Sequence, residues 1–99
     1  VSTEPGGVEP LPERFELRAN YPNPFNPSTQ VRFALPQASE VRLEVFDAAG
    51  RRVAVLAEGM RPAGVHTVNF EAGALSSGVY IARLTAPGFV QSRAMVLLK

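Results

Sequence analysis

The sequence contains no cysteine, no tryptophan and only one histidine among its 99 residues. Without cysteine, the chain can form no disulfide, no thiolate nucleophile and no zinc–thiolate site. Its net charge is +1 and its acidic and basic residues are interspersed, which argues against the broad basic surface of a nucleic-acid-binding protein. No apolar run is long enough for a membrane-spanning helix. We therefore expect no nucleic-acid partner and no membrane span.

Catalysis requires a converging set of titratable or nucleophilic side chains, and the sequence offers few candidates. His66 shares strand parity with Val68 and Phe70, so we interpret it as a partly buried, hydrogen-bonded structural histidine. Asp47 precedes a turn, where a carboxylate that accepts backbone N–H groups is a better interpretation than a calcium ligand. We predict a non-enzymatic protein with no catalytic residue, no cofactor and no metal site.

Apolar and polar residues alternate with period two through most of the chain, which predicts β-strands. The alternation is cleanest at residues 41–45, where Arg42 and Glu44 should face solvent. Turn signals separate the alternating segments, and Glu58-Gly59 should end a hairpin at residues 41–57. Strands are predicted at residues 15–19, 31–35, 41–45, 52–57, 65–71, 79–85 and 89–98.

Seven short strands without helical periodicity predict an all-β fold, an immunoglobulin-like antiparallel β-sandwich. We expect one domain at residues 15–99, preceded by a linker at residues 1–14 that is rich in proline, glycine and glutamate. Gly50, Gly64 and Gly78 should serve turns in which a Cβ is poorly tolerated. The predicted core consists of Phe15, Val31, Phe33, Leu35, Val41, Leu43, Val45, Val68, Phe70, Tyr80 and Leu84.

Residues 20–29 are the most distinctive segment, because three X-Pro steps fall within six residues. Proline lacks the N–H that a strand or helix needs and disfavours the α region for the preceding residue. A solvated linker would have no use for two large side chains such as Tyr21 and Phe25. We therefore predict an ordered strap that these two rings pin to a sheet. The strap consists of Asn20, Tyr21, Pro22, Asn23, Pro24, Phe25, Asn26 and Pro27.

The segment Met95-Val96-Leu97-Leu98 places apolar side chains on both faces of the last strand. Either the strap or a loop covers them, or the strand is an exposed edge that another chain extends by strand addition, with an edge-strand dimer as one outcome. Composition alone favours the covered strand. Two further functions also compete, an inert spacer and a carbohydrate-binding module, although the latter usually stacks sugars on exposed tryptophan.

Five segments in order resemble one family, the type A C-terminal sorting domains of the bacterial type IX secretion system. They are residues 20–29, 45–51, 63–66, 77–84 and 95–99, and the likeness extends over about residues 15–99. The chain departs from the family at Phe70-Glu71-Ala72, where Trp-Asp-Gly is frequent, and at Ala94, where a second basic residue is common. The first change keeps an aromatic and an acid, and the second implies fewer basic contacts with an exporter.

The resemblance implies a non-catalytic secretion and cell-surface sorting signal. It implies recognition by outer-membrane secretion proteins, transit through the periplasm, and N-terminal cargo domains in the same chain that end at the cell surface or in the medium. A sortase would cleave in or before the linker. The family's recognition information lies in its last strands, which favours the exposed-edge interpretation. The residues so implied are Phe89, Arg93, Met95, Val96, Leu97, Leu98 and Lys99.

Overall fold

The computed structural model describes residues 10–99, and seven strands form along this part of the chain. Residues 1–9 of the predicted linker lie outside the described residues. The strands are β1 (Glu16–Leu17), β2 (Ser28–Leu35), β3 (Ser39–Phe46), β4 (Arg52–Arg61), β5 (Gly64–Glu71), β6 (Gly78–Ala86) and β7 (Phe89–Leu97).

The strands form two antiparallel sheets, one in the order β1-β2-β5 and the other in the order β4-β3-β6-β7. Between residues 10 and 99 the chain contains no helix. In the constant-type immunoglobulin arrangement the fourth strand joins the sheet of the first, second and fifth strands, whereas here β4 pairs with β3. The predicted all-β sandwich of seven strands is confirmed.

β4 is longer than the sequence pattern indicated. It runs past Glu58-Gly59 to Arg61, so the prediction that the hairpin ends at these two residues is wrong. The pairing of β3 with β4 shifts register twice, between Leu43 and Glu44 and between Val45 and Phe46. Each shift adds an unpaired residue to one strand, and such bulges break the period-two pattern on which the prediction relied.

The core lies between the two sheets and contains most of the predicted residues. Phe15 and Val68 are exceptions, because both are half-buried and pack against its margin. The sequence pattern missed several buried side chains, among them Leu17, Ala57, Ala82, Ala86, Met95 and Leu97. The alanines escaped notice because small residues carry little weight in a hydrophobic pattern.

Glu44 was expected to face solvent, but it is only 4% exposed. It does point away from the core, on the outer face of the four-stranded sheet, where two arginines cover it. Its carboxylate oxygens lie 3.1 Å from Arg52 Nη1 and 3.6 Å from Arg83 Nη2. The Arg83 guanidinium also lies over the Phe46 ring, 4.4 Å from its centroid. Long cross-strand side chains therefore bury a residue that alternation alone places in water.

Gly50 and Gly64 have φ angles of +88° and +131°, in the region that L side chains rarely adopt. Apart from the glycine and its two chain neighbours, no residue has a heavy atom within 4 Å of a Cβ built at either position. A substitution there would therefore be unfavourable because of backbone conformation and not because of a clash. Gly78, the third predicted turn glycine, also has a positive φ and begins β6.

Tyr80 joins the start of β6 to the loop that precedes it. Its hydroxyl donates a 2.7 Å hydrogen bond to the carbonyl of Ser76, while its ring is buried in the core. A tyrosine near the start of the sixth strand that bonds backwards to the loop is the tyrosine corner of immunoglobulin-like sandwiches. This contact supports the fold assignment independently of strand order.

Replacing Tyr80 with phenylalanine should remove only this hydrogen bond, because the ring stays in place. We expect the free energy of unfolding to fall by about 0.5–1.5 kcal/mol, the usual net value of one hydrogen bond. Denaturant titration of both proteins measures the difference. Unchanged stability would contradict a structural role for the contact.

Candidate functional site

The strap, residues 20–27, crosses from one sheet to the other. At its start, Tyr21 forms an isolated bridge with Gln30 of β2, through two backbone hydrogen bonds of 3.0 Å. At its end, the carbonyl of Pro27 accepts a 2.8 Å hydrogen bond from the N–H of Ala72. Between these points the strap reaches β7 in the opposite sheet. Its three X-Pro peptide bonds are cis.

Phe25 is the residue that carries the strap onto β7. Its N–H donates to the carbonyl of Val96 (2.9 Å), and its carbonyl accepts from the N–H of Leu98 (3.0 Å). The Val96 N–H in turn donates to Oδ1 of Asn23 (2.9 Å). The ring of Phe25 is 2% exposed and lies 5.8 Å from that of Phe70, centroid to centroid. Phe25 therefore fills the gap between the sheets while its backbone extends one of them.

The first half of the strap is held by polar groups and not by the aromatic ring of Tyr21. That side chain is 80% exposed, so the prediction that it pins the strap is wrong. The buried Thr29 hydroxyl donates to the carbonyl of Pro22 (2.8 Å), and Nδ2 of the buried Asn20 lies 3.1 Å from that carbonyl and 3.1 Å from the same hydroxyl. The sequence suggested aromatic packing because it could not show that the short side chains of Asn20 and Thr29 meet.

Phe25 and Tyr21 form a matched pair for testing this division of roles. Phe25→Ala should lower the free energy of unfolding by about 3–5 kcal/mol, as expected for a buried phenylalanine. Tyr21→Ala should change it by less than about 0.5 kcal/mol, because an exposed side chain makes few contacts. Thermal or denaturant unfolding measures both variants. Equal effects would contradict the geometry described here.

The seven residues that the sequence suggested for recognition differ in accessibility. Met95 and Leu97 are buried at 1% and 0% exposure, and Val96 is half-buried. Leu98 is 56% exposed, and Lys99 is exposed while its Nζ donates to the carbonyl of Gly73 (2.7 Å). In the folded protein, only part of this segment can meet a partner.

The other two recognition candidates contact β1 and Phe15, the residue before it. The ring of Phe89 stacks on Phe15 with centroids 5.3 Å apart. Nε of Arg93 donates to the carbonyl of Leu17 (2.6 Å), and Oε1 of Gln91 accepts from the N–H of the same residue (2.9 Å). Gln91 was not predicted from the sequence. No local signal could reveal it, since 74 residues separate it from Leu17.

β7 is an edge strand, but its edge is not fully exposed as the resemblance suggested. The strap occupies the outward backbone groups of Val96 and Leu98. In an antiparallel ladder every second residue points its backbone groups to the same side, so those of Val90, Ser92 and Ala94 also point away from β6. Among residues 10–99, no strand pairs with these three residues on that side. The covered interpretation is thus correct for the end of the strand, and a shorter edge is left for strand addition or an edge-strand dimer.

Asp47 and His66 have structural partners. Oδ1 of Asp47 accepts from the N–H groups of Arg51 and Ala49, both at 2.9 Å, and the Arg51 guanidinium lies beside Oδ2. Hydrogen bonding to the Arg51 N–H is the main cause of a pKa below the usual value for this carboxyl. Nε2 of His66 donates to the carbonyl of Pro62 (2.8 Å), and its ring stacks on Phe33.

Residues 10–99 show neither a cluster of metal-binding side chains nor a membrane-spanning helix. Three or more histidine, aspartate or glutamate side chains that could together hold a metal ion are not found in this part of the chain. A helix long and apolar enough to cross a membrane is not found there either.

A comparison with known protein families gives a match over most of the chain. A family model described as a secretion system C-terminal sorting domain matches residues 19–97, which include the whole strap and strands β2 to β7. The chain belongs to this family. No curated protein and no solved structure matched in the corresponding searches. The resemblance is confirmed: the domain is a type IX sorting signal, which implies export to the cell surface or secretion. A sorting domain is non-catalytic in kind, and neither the carbohydrate-binding nor the spacer alternative is favoured.

Proposed function

We propose that this sorting domain is recognised in its folded state, by an outer-membrane component of the type IX system, through the end of β7 where the strap joins it. The observation that carries the proposal is the unequal exposure of residues 95–99. Met95 and Leu97 are buried, whereas Leu98 and Lys99 lie at the surface. A short segment of this kind is displayed at a fixed position, so a partner need not order it on binding.

The recognition candidates then divide into two roles. Met95, Leu97, Phe89 and Arg93 hold β7 against the core and β1, and Leu98, Lys99 and the exposed part of Val96 contact the partner. Hydrogen bonds fix both terminal residues, since Leu98 N–H donates to the strap and Lys99 N–H donates to Oγ of Ser77 (2.9 Å). Because these two N–H groups already have partners within the domain, we expect the export component to contact the side chains of Leu98 and Lys99.

The proposal includes removal of the domain after export. Residues 1–14 would be the linker in or before which a sortase cleaves, and residues 15–99 the sorting domain, with cargo at its N-terminal side and transit through the periplasm. Support comes from residues 10–14, which form no strand and are mostly exposed, whereas Phe15 packs against the core margin. A protease requires accessible, unpaired backbone, and such backbone ends where the sandwich begins.

Export of a fused reporter tests the recognition surface. In a host with the secretion system, Leu98→Glu with Lys99→Glu should reduce export about tenfold or more, because a carboxylate buried in an apolar contact costs at least ~1.4 kcal/mol. Met60→Glu on β4 is the matched control, since Met60 is also an exposed large apolar residue, at 64% against 56% for Leu98. This control should export normally.

All three substitutions are at exposed positions, so we expect each variant to fold. Circular dichroism checks the folding of each variant separately. Deleting residues 95–99 should also trap the reporter in the periplasm, although it removes the core side chains Met95 and Leu97 as well. Wild-type export by the folded Leu98→Glu, Lys99→Glu variant would contradict the proposed contact. Wild-type export by the truncated fusion would contradict a sorting role for the whole C-terminal segment.

A further inference from the structure

The outer face of the four-stranded sheet carries a group of apolar side chains at one end. Tyr80, Ala82 and Met95 point into the core, so the alternating residues of β6 and β7 point outward. Cross-strand pairing places Ile81 between Phe46 and Ala94, and Val79 beside Val96. We call this group the outer-face patch, which consists of Phe46, Val79, Ile81, Ala94 and Val96.

The outer-face patch is accessible to solvent. Val79 is 46% exposed, Ala94 is exposed, and Phe46, Ile81 and Val96 are half-buried. The solvent face of an antiparallel sheet normally carries polar residues, and contiguous exposed apolar groups mark interaction sites. Polar residues occupy much of the rest of this face: Arg42 lies 3.6 Å from Glu58, Glu44 sits between two arginines, and Ser92 pairs with Arg83. Three further exposed apolar residues on this face, Val55, Met60 and Val90, each pair with a polar residue, so a contiguous apolar group forms at the end where β7 meets the strap.

The charges around the outer-face patch are mainly positive. Arg52 and Arg83 both pair with the single carboxylate of Glu44, so this cluster retains one net positive charge. The two arginine side chains remain 53% and 44% exposed. A surface that covers the patch would therefore gain from carboxylates at its own edge.

We propose that the outer-face patch docks a protein surface of the export machinery that is apolar at its centre and acidic at its rim. This inference rests on the proposed function, because the patch is continuous with the proposed contact: Val96 belongs to it, and Leu98 lies two residues further along the same chain. A partner that covers Leu98 and Lys99 would extend over the patch. A second copy of the domain is a poor occupant, since its own patch carries the same positive rim.

Such a contact would make recognition depend on folding. The patch draws residues from β3, β6 and β7, and 50 positions of sequence separate Phe46 from Val96. An unfolded chain would present Val96 and Leu98 but not their neighbours Phe46 and Ile81. The export machinery would thereby bind the folded sorting domain in preference to an unfolded or truncated one.

Glutamate substitutions within and outside the patch test the proposal. Val79→Glu and Ala94→Glu each place a carboxylate in the patch at an exposed position, where an acidic partner rim would also repel it. Val90→Glu is the matched control: Val90 is 62% exposed and lies on the same face of β7 as Ala94, about 13 Å away along the strand. We expect export of the fused reporter to fall about tenfold or more for the two patch variants. Export of the control should stay within about twofold of the parent.

The outcomes separate this inference from the proposed function. Normal export by folded Val79→Glu and Ala94→Glu, with export still blocked by Leu98→Glu and Lys99→Glu, would overturn the patch and leave the proposed contact standing. Normal export by all of these variants would overturn both. If the isolated domain sediments as a dimer that Val79→Glu converts to a monomer, the patch is a self-association surface and the proposal is wrong. Loss of export confined to the patch and terminal variants, in a monomeric domain, supports it.

Discussion

The pairing of Phe25 with the end of β7 closes a side of the sandwich that the strands alone leave open. β1 is only two residues long, so it covers little of the edge between the sheets. The strap supplies the missing cover, with one aromatic ring between the sheets and backbone hydrogen bonds to Val96 and Leu98. Gln91 and Arg93 complete this closure further along β7 by binding both backbone groups of Leu17. Side chains and a proline-rich segment here replace a longer edge strand.

This closure also determines what the C-terminus can present to other proteins. Met95 and Leu97 are anchored in the core, and the strap binds the backbone of Val96 and of Leu98. The last residues therefore have a defined position. An edge strand left open would invite unspecific strand addition, which the strap limits to the stretch around Val90 to Ala94. The exposed side chains of the last residues and the outer-face patch then offer a partner a specific binding surface. An open strand edge would instead offer unpaired backbone groups.

Sequence patterns were most reliable where alternation was regular and failed where distant residues cooperate. The strands around Val41 and Phe33 follow from period two, and the family resemblance follows from motifs such as residues 20–29. The roles of Tyr21 and Phe25 look equivalent in sequence, and only the path of the strap distinguishes them. Glu44 alternates outward as predicted, yet Arg52 and Arg83 from two other strands bury it. The backbone partners of Val96 and Leu98 likewise come from a segment about 70 positions away in the sequence.

Amide hydrogen exchange along the edge of β7 tests the central claim most directly. The N–H groups of Ser92, Ala94, Val96 and Leu98 all point away from β6 by ladder alternation, but only the last two have partners in the strap. We expect Val96 and Leu98 to exchange about a hundredfold or more slowly than Ser92 and Ala94, the protection given by an opening that costs ~3 kcal/mol. Equal, fast exchange at all four positions would show that the strap does not hold the C-terminal strand.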